Sequence, residues 1–266
     1  MRKLVVLLIV FAVLSAGCIG SPQKTGGSVV GNESRTTSII QTSPVESGEK
    51  PINPKGLIDA IKQYTYTEKA TVELGIEMKA GNLTQRTNVS LLIEERGYVD
   101  IENRRARIET RTTTLPGNVT VNTTWIVIGQ RVYVESFGNV TVENDTKFWE
   151  VHPVALARKL LELEPIGNYT ENGTLVFVYS VPGELVLPLA ELYFTTPEMN
   201  TTITDATAEL RFTRNSLKGI KLIYSVRAST TTNGLGGEIE VVEVGTWRGT
   251  IRITSVNEKE EVAPPT

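Results

Sequence analysis

Apolar and polar residues alternate along much of the chain, and this period of two predicts β-strands. Every second residue is apolar from Val72 to Met78, and the alternation resumes from Val89 to Ile93 after a turn at 80–82. Further strands are expected at 98–101, 106–113, 119–128, 131–134, 175–181, 206–213, 217–230, 238–244 and 248–254. About ten strands joined by short turns predict one large antiparallel sheet or barrel.

Three segments depart from this alternation and predict helices. Residues 54–64 begin with a proline, which favours the start of a helix, and they place apolar side chains at helical spacing. Residues 153–164 carry a leucine stripe and stop at Pro165. Residues 183–194 are strongly apolar but contain Pro188, which predicts either a short helix or two turns bent at the proline.

The amino-terminal residues have the order of a secretory signal. Arg2 and Lys3 precede an uncharged apolar run from Leu4 to Leu14, which leads through small residues into Cys18, the only cysteine. A membrane-spanning helix needs about 20 apolar residues, so this run is too short to be one. Residues 1–17 are therefore predicted to be a signal peptide.

The end of this segment resembles the lipobox of lipoproteins. Ala16, Gly17 and Cys18 match the pattern, whereas Ser15 departs from the usual leucine, and the segment looks most like archaeal examples. The resemblance implies that a lipid on Cys18 anchors the chain to the extracytoplasmic face of the cell membrane. The alternative is a plain signal peptide cut nearby, with Cys18 uninvolved.

Composition divides the remainder of the chain into three parts. Residues 18–55 are rich in Gly, Ser, Thr, Pro and Gln and lack a strand or helix period, which predicts a flexible tether. Residues 56–256 contain the periodic segments and form the predicted folded domain. Residues 257–266 contain a run of acidic residues followed by prolines and predict a disordered acidic tail.

Charge and cysteine content exclude several function classes. The net charge is −3, and it becomes about −5 once Arg2 and Lys3 leave with the signal. This mild acidity gives no basic surface for nucleic acid. With one cysteine there are no intramolecular disulfides, so the domain must be stabilised by an apolar core.

Asn-x-Ser/Thr sequons are unusually frequent. Ten of the 15 asparagines begin one, about threefold more than the serine and threonine content predicts by chance. Besides Asn32, the candidate N-glycosylation sites are Asn82, Asn88, Asn118, Asn122, Asn139, Asn144, Asn168, Asn172 and Asn200. A threonine-rich β protein also produces sequons without selection, and that alternative stays open.

The sequence offers little catalytic chemistry. His152 is the only histidine, and we expect it to cap a helix or pack rather than act as a base. Zinc sites need clusters of Cys and His, which the sequence lacks, and no G-x-S-x-G frames a nucleophilic serine. Glu94 and Glu95 are expected to be solvated surface, as is the basic turn at 104–107. We predict no enzyme activity, metal or cofactor.

Three segments carry a resemblance to the LolA/LppX-like lipoprotein group. They are the turn at 103–107, the hairpin at 125–134 and the passage into a helix at 147–163, and the likeness extends over 56–256. It implies an α+β fold in which a strongly curved antiparallel sheet, an incomplete β-barrel, holds two or three helices in its concave mouth. In that group the concave apolar surface binds acyl chains or lipoproteins.

The apolar cleft candidates implied by this layout lie in the two mid-chain helical segments. They are Leu156, Leu160, Leu163, Leu187, Leu192 and Phe194. The plainer interpretation of each is ordinary core.

Two functions follow from these patterns. The first is a lipid-anchored, non-enzymatic extracytoplasmic protein that binds or senses an apolar ligand, a lipid or a lipidated partner. The alternative is a surface structural or interaction glycoprotein without a small ligand. Strand parity predicts that Asn88 and Asn122 point away from the apolar face. The sequence does not determine the oligomeric state.

Overall fold

The computed structural model describes residues 52–144, 147–191, 199–234 and 237–265. These residues form one eleven-stranded antiparallel sheet with four short helices. The strands are β1 (Gln63–Ala80), β2 (Leu83–Asp100), β3 (Arg105–Leu115), β4 (Val119–Ile128), β5 (Arg131–Ser136), β6 (Asn139–Asn144), β7 (Gly167–Glu171), β8 (Thr174–Ser180), β9 (Asn200–Thr213), β10 (Ser216–Gly234) and β11 (Gly237–Val256).

The strand order shows that the sheet stays open. It runs β6-β5-β4-β3-β2-β1-β11-β10-β9-β8-β7, so two meanders meet where β1 pairs with β11. The two edge strands, β6 and β7, follow each other in the chain but lie at opposite edges of the sheet. The predicted curved, unclosed antiparallel sheet with few helices is confirmed.

The helices are α1 (Pro54–Asp59), α2 (Phe148–Val151), α3 (Pro153–Leu160) and α4 (Gly183–Ala190). Helix α1 begins two residues before the predicted domain boundary, where the Asn53 side chain accepts a hydrogen bond from the Gly56 amide. It also ends earlier than predicted, and Tyr64 belongs to β1 instead. The apolar segment 183–194 forms one helix as far as Ala190, with Pro188 inside it.

The core lies on one face of the sheet, which we call the inner face. It is the face that carries Tyr66, Val72 and Trp247, and it packs against helix residues such as Val154 and Val186. Helices α2 and α3 belong to the connection that carries the chain from β6 to β7, and they pack on this side of the sheet. The connection thereby covers apolar surface that would otherwise face water.

The turn between β4 and β5 has glycine at its first central position. Gly129 has a φ of +60°, whereas Gln130 has no positive φ. This is the combination that a two-residue type II′ turn requires, with glycine at its first central position. The observed strands, ending at Ile128 and restarting at Arg131, match the predicted hairpin.

The carboxy-terminal tail differs from its prediction as a disordered segment. Val262 is buried and packs against Tyr98 and Ile126 on the outer face of the sheet. Arg105 Nη1 donates a hydrogen bond to the carbonyl of Val262 at 3.3 Å. One apolar residue within a polar sequence thus attaches the tail, a contact that a composition-based prediction overlooks.

The predicted signal peptide at 1–17, Cys18 and nearly all of the tether at 18–55 lie outside the described residues. Among the helices that the structure does describe, none has the length and apolar character needed to cross a bilayer.

Candidate functional site

A cavity of about 60 Å³ lies between the inner face and the helices. Its sheet side is formed by five strands that bring distant parts of the sequence together. The side chains are those of Tyr66, Glu68, Glu95, Ile108, Trp125, Trp247 and Ile251. Aromatic and aliphatic groups therefore dominate this side, and two carboxylates interrupt them.

The opposite side of the cavity comes from the helices and the residues that join them. It consists of Phe148, Val151, His152, Pro153, Leu156, Pro188 and Leu189, with the exposed Lys147 beside them. Lys147 Nζ pairs with a carboxylate oxygen of Glu191 at 3.0 Å, which joins the start of α2 to the end of α4. The cavity is thus enclosed by two helical segments that approach from different parts of the chain.

Helix α2 is fixed to the sheet through one tryptophan. The Trp149 Nε1–H donates to the carbonyl of Gly129 at 2.6 Å, in the turn between β4 and β5. The guanidinium of Arg104 lies over the same indole, 5.5 Å from the ring centroid. The basic turn at 104–107 thus contributes one of its arginines to the packing of a helix.

His152 connects α3 to the central strand. Its Nδ1 accepts a hydrogen bond from the Ala155 amide at 3.2 Å and lies 2.9 Å from the Tyr64 hydroxyl. Burial, together with the nearby Arg158 and Lys159 charges, lowers the pKa of His152 to about 3. The predicted role in capping and packing is confirmed, and such a low pKa makes His152 a weak base.

Glu95 is the clearest residue that the sequence analysis misplaced. Its prediction as solvated surface is wrong, since it is 7% exposed and faces the cavity. Its two carboxylate oxygens accept hydrogen bonds from the Tyr66 hydroxyl at 2.6 Å and the Thr110 hydroxyl at 2.9 Å. Burial and the Glu95 charge hold the pKa of Tyr66 well above its usual value.

A signal for Glu95 was present in the sequence. It is in phase with Val89, Leu91 and Ile93, all of which are buried, whereas its neighbour Glu94 is exposed and pairs with Lys69. The alternation of β2 therefore places Glu95 on the inner face. Glu68 follows the same rule, in phase with the buried residues of β1.

The predicted apolar cleft residues take different positions. Leu156 lines the cavity, whereas Leu160 is fully buried in the core and Leu163 packs against the core from its margin. Leu187 is half-buried in α4 and does not line the cavity. Leu192 and Phe194 fall outside the described residues.

All nine sequon asparagines between Asn82 and Asn200 are exposed. Asn88 and Asn122 are exposed while Val89 and Val121 are buried, as the parity of their strands predicted. Asn139, Asn144 and Asn168 lie on the two edge strands, and Asn172 follows β7 in its turn. The sequons therefore occupy positions that a glycan can reach.

The polar groups of the cavity are engaged with the protein itself. The hydrogen bonds of Glu95 and of His152 engage neighbouring strand and helix groups, and the remaining cavity surface is mainly apolar. In the part of the chain that the structure describes, no group of three or more His, Cys, Asp or Glu side chains is arranged to hold a metal ion.

No family model matches the sequence, and no curated protein matches it either. Among solved structures, LprF from Mycobacterium bovis is similar over 80% of this chain and 96% of its own, with 9% identity and a TM-score of 0.39. A LolA-superfamily protein from Nitrosomonas europaea is similar over 71% of this chain and 87% of its own, with 9% identity and a TM-score of 0.20. These values leave the chain without an assigned family.

Proposed function

We propose that this protein is a lipid-anchored, non-enzymatic extracytoplasmic protein that binds an apolar or amphiphilic ligand between the inner face of its sheet and its helices. The observation that carries the proposal is the cavity, whose sheet side and helix side are both mainly apolar. Ligand pockets in proteins combine such a lining with a small number of placed polar groups. Here the polar groups are Glu68 and Glu95.

The cavity volume sets a condition on this function. An engineered cavity of about 150 Å³ admits benzene, so a cavity of about 60 Å³ is too small for an acyl chain. The ligand must therefore separate the helices from the sheet or from each other. Burial of the chain would stabilise that state by about 0.8 kcal/mol for each CH₂ removed from water.

A variant that fills the cavity tests the proposal. The full chain carrying Cys18→Ser is analysed by native mass spectrometry for a co-purified ligand and by titration with a fluorescent acyl-chain probe. Leu189 lines the cavity and is only half-buried, so Leu189→Trp is expected to weaken probe binding at least tenfold. Leu92→Trp is the matched control, because Leu92 is 41% exposed on the outer face. Equal binding by both variants contradicts the proposal.

Membrane attachment through Cys18 is a separate part of the proposal, supported by the lipobox resemblance and by the absence of any other cysteine. The expected result is that the wild-type chain partitions with membranes and carries a lipid mass on Cys18. The Cys18→Ser chain is expected in the soluble extracellular fraction. A wild-type chain without the lipid mass would contradict lipidation.

The second candidate function is a surface glycoprotein with a structural or interaction role. The exposure of all nine described sequons supports it. Intact-mass measurement of the chain from its own cells, before and after glycan removal, tests occupancy. Occupied sequons together with an empty cavity would favour this function over ligand binding.

A further inference from the structure

Exposed apolar residues concentrate at the two free edges of the sheet. Nine large apolar residues in the described part of the chain are exposed, and five of them lie on β6 or β7 or within two residues of these strands. They are Phe137, Val140, Val142, Ile166 and Tyr169. An edge strand presents unpaired backbone N–H and C=O groups, so apolar side chains beside it favour pairing with the edge of another molecule.

The two edges have few of the features that usually prevent such pairing. As the structure describes them, β6 and β7 contain no lysine or proline, and each pairs with its neighbouring strand without a bulge. Each carries one glutamate, and the glutamate on β7, Glu171, forms an ion pair with Arg211. Lysines, prolines and bulges are common means by which proteins keep sheet edges apart. These strands therefore need another form of protection.

Sequons coincide with the exposed apolar residues. Seven of the nine lie within two residues of a sequon asparagine, although only about one-fifth of the described residues lie that close to one. Four of them are the middle residue of a sequon, namely Leu83, Val119, Val140 and Tyr169. The two exceptions, Leu92 and Val244, lie on strands inside the sheet. The association exceeds what the spacing of the sequons alone produces.

We propose that N-linked glycans on Asn139, Asn144 and Asn168 cover the two free edges and prevent them from pairing with a second copy of this chain. Asn139 and Asn144 are the first and last residues of β6, and the alternation of a strand directs their side chains to opposite faces. On β7, Asn168 lies between Ile166 and Tyr169. A glycan is bulky and solubilising, so it hinders approach to the unpaired backbone groups and covers the apolar residues beside it.

This inference rests on occupied sequons, and therefore on the second candidate function rather than on ligand binding. Peptide mass spectrometry of the chain from its own cells measures occupancy at each sequon. We expect glycans on the peptides that contain Asn139, Asn144 and Asn168. Glycans elsewhere but not at these three positions would overturn this inference and leave the glycoprotein function standing, whereas a chain without any glycan would overturn both.

Two triple variants test the role of the edge glycans. The edge variant carries Asn139→Gln, Asn144→Gln and Asn168→Gln, and the control variant carries Asn88→Gln, Asn122→Gln and Asn200→Gln. The control asparagines are equally exposed but lie on β2, β4 and β9, which are not edge strands. Both variants are made in the protein's own cells in the full chain carrying Cys18→Ser, and sedimentation over a range of concentrations measures self-association. We expect the edge variant to associate at least tenfold more tightly than the unsubstituted and control chains.

Lysines on the edges separate strand pairing from other association. Val142→Lys and Tyr169→Lys add one lysine to each edge, at residues that are 57% and 41% exposed. Added to the edge variant, they are expected to restore the monomer, because a lysine on an edge strand opposes pairing. Should the edge variant fail to fold, the chain with its natural asparagines, made in a host that adds no N-glycans, is compared with and without the two lysines.

The remaining outcomes each decide against the proposal. An edge variant that stays monomeric shows that the edges need no glycan. Equal association of the edge and control variants assigns the glycans a general solubilising role instead. Association that persists after the two lysines are added places the contact on another surface. The acyl-chain probe is expected to bind all monomeric forms equally, so none of these results affects the proposed ligand binding.

Discussion

The same strands behave differently at their two ends. Near the helices, β1 and β2 alternate between buried and exposed residues, whereas their far ends, residues 77–88, are exposed or half-buried on both faces. We call residues 77–88, together with 229–232 and 238–241 of β10 and β11, the distal ribbon. Its backbone pairing continues without interruption from the covered half.

This difference shows that strand length and core burial are separate properties. In the distal ribbon, ion pairs such as Arg86–Glu77 at 2.7 Å and Lys79–Glu240 at 3.3 Å accompany side chains that are at most half-buried. Exposed pairs of this kind contribute little, about 0–1 kcal/mol each. Most of the stability should therefore come from the covered half, and substitutions in the two regions can test this.

The largest effect is expected for Trp247→Ala. Trp247 is almost fully buried on the inner face, and replacing such a side chain by alanine costs about 3–5 kcal/mol. The distal control is Leu83→Ala, at a residue that is 77% exposed, with an expected change below about 0.5 kcal/mol. Urea unfolding measures the free energy of unfolding of both variants. Comparable losses would show that the distal ribbon contributes as much to stability as the covered half.

A pair of glycine substitutions sharpens the comparison. An added Cβ at Gly97 would lie only 2.2 Å from the ring of Tyr66, so Gly97→Ala is expected to destabilise by as much as about 3 kcal/mol. At Gly75, close to the distal ribbon, the nearest atom is Asn88 Oδ1 at 3.4 Å, an ordinary contact. Gly75→Ala should leave the midpoint of thermal unfolding nearly unchanged, and a large loss there would contradict the comparison.

His152 gives the covered half a dependence on pH. The pKa of His152 is about 3 in the folded chain, whereas its ordinary value is 6.5. The unfolded chain therefore binds the proton more readily than the folded chain does. The free energy of unfolding should therefore fall by about 2 kcal/mol between pH 8 and pH 5 through this residue. His152→Asn keeps a capping oxygen but removes the titration, so its pH profile should be flatter. An unchanged profile would exclude His152 as the source.

The smallest effect is expected in the distal ribbon itself. Lys79→Ala removes ion pairs with Glu77 and Glu240 that are partly exposed to solvent. The loss should stay below about 1 kcal/mol and shrink further at high salt, because salt screens exposed charges. A larger, salt-independent loss in urea unfolding would show that these side chains do more than pair at the surface.

Sequence reasoning succeeded where one face of an element is apolar. The alternation in β1 and β2, the glycine turn at 129 and the capped start of α3 were all readable, because each has a strong local signal. The edge strand β6 was missed, since all six of its residues are exposed and its sequence has no buried face to reveal. The edge strand β7 was missed for the same reason, since all its residues are also exposed.

The site was harder to predict than the fold. Glu68, Glu95 and Trp247 lie on three strands and line one cavity only because β1 pairs with both β2 and β11. Charge alone assigned Glu95 to the surface, although its phase within β2 favoured the interior. Periodicity places a residue on a face, whereas the size of the space above that face depends on how the helices pack.

The chain path from β6 to β7 has a mechanical consequence. These strands are the two free edges of the sheet, and residues 145–166, which include α2 and α3, connect them. A covalent connection of fixed length is a distance restraint between the edges. If the proposed ligand pushes the helices outward, it works against this restraint, and the length of one connection then limits the girth of the ligand that the sheet can hold.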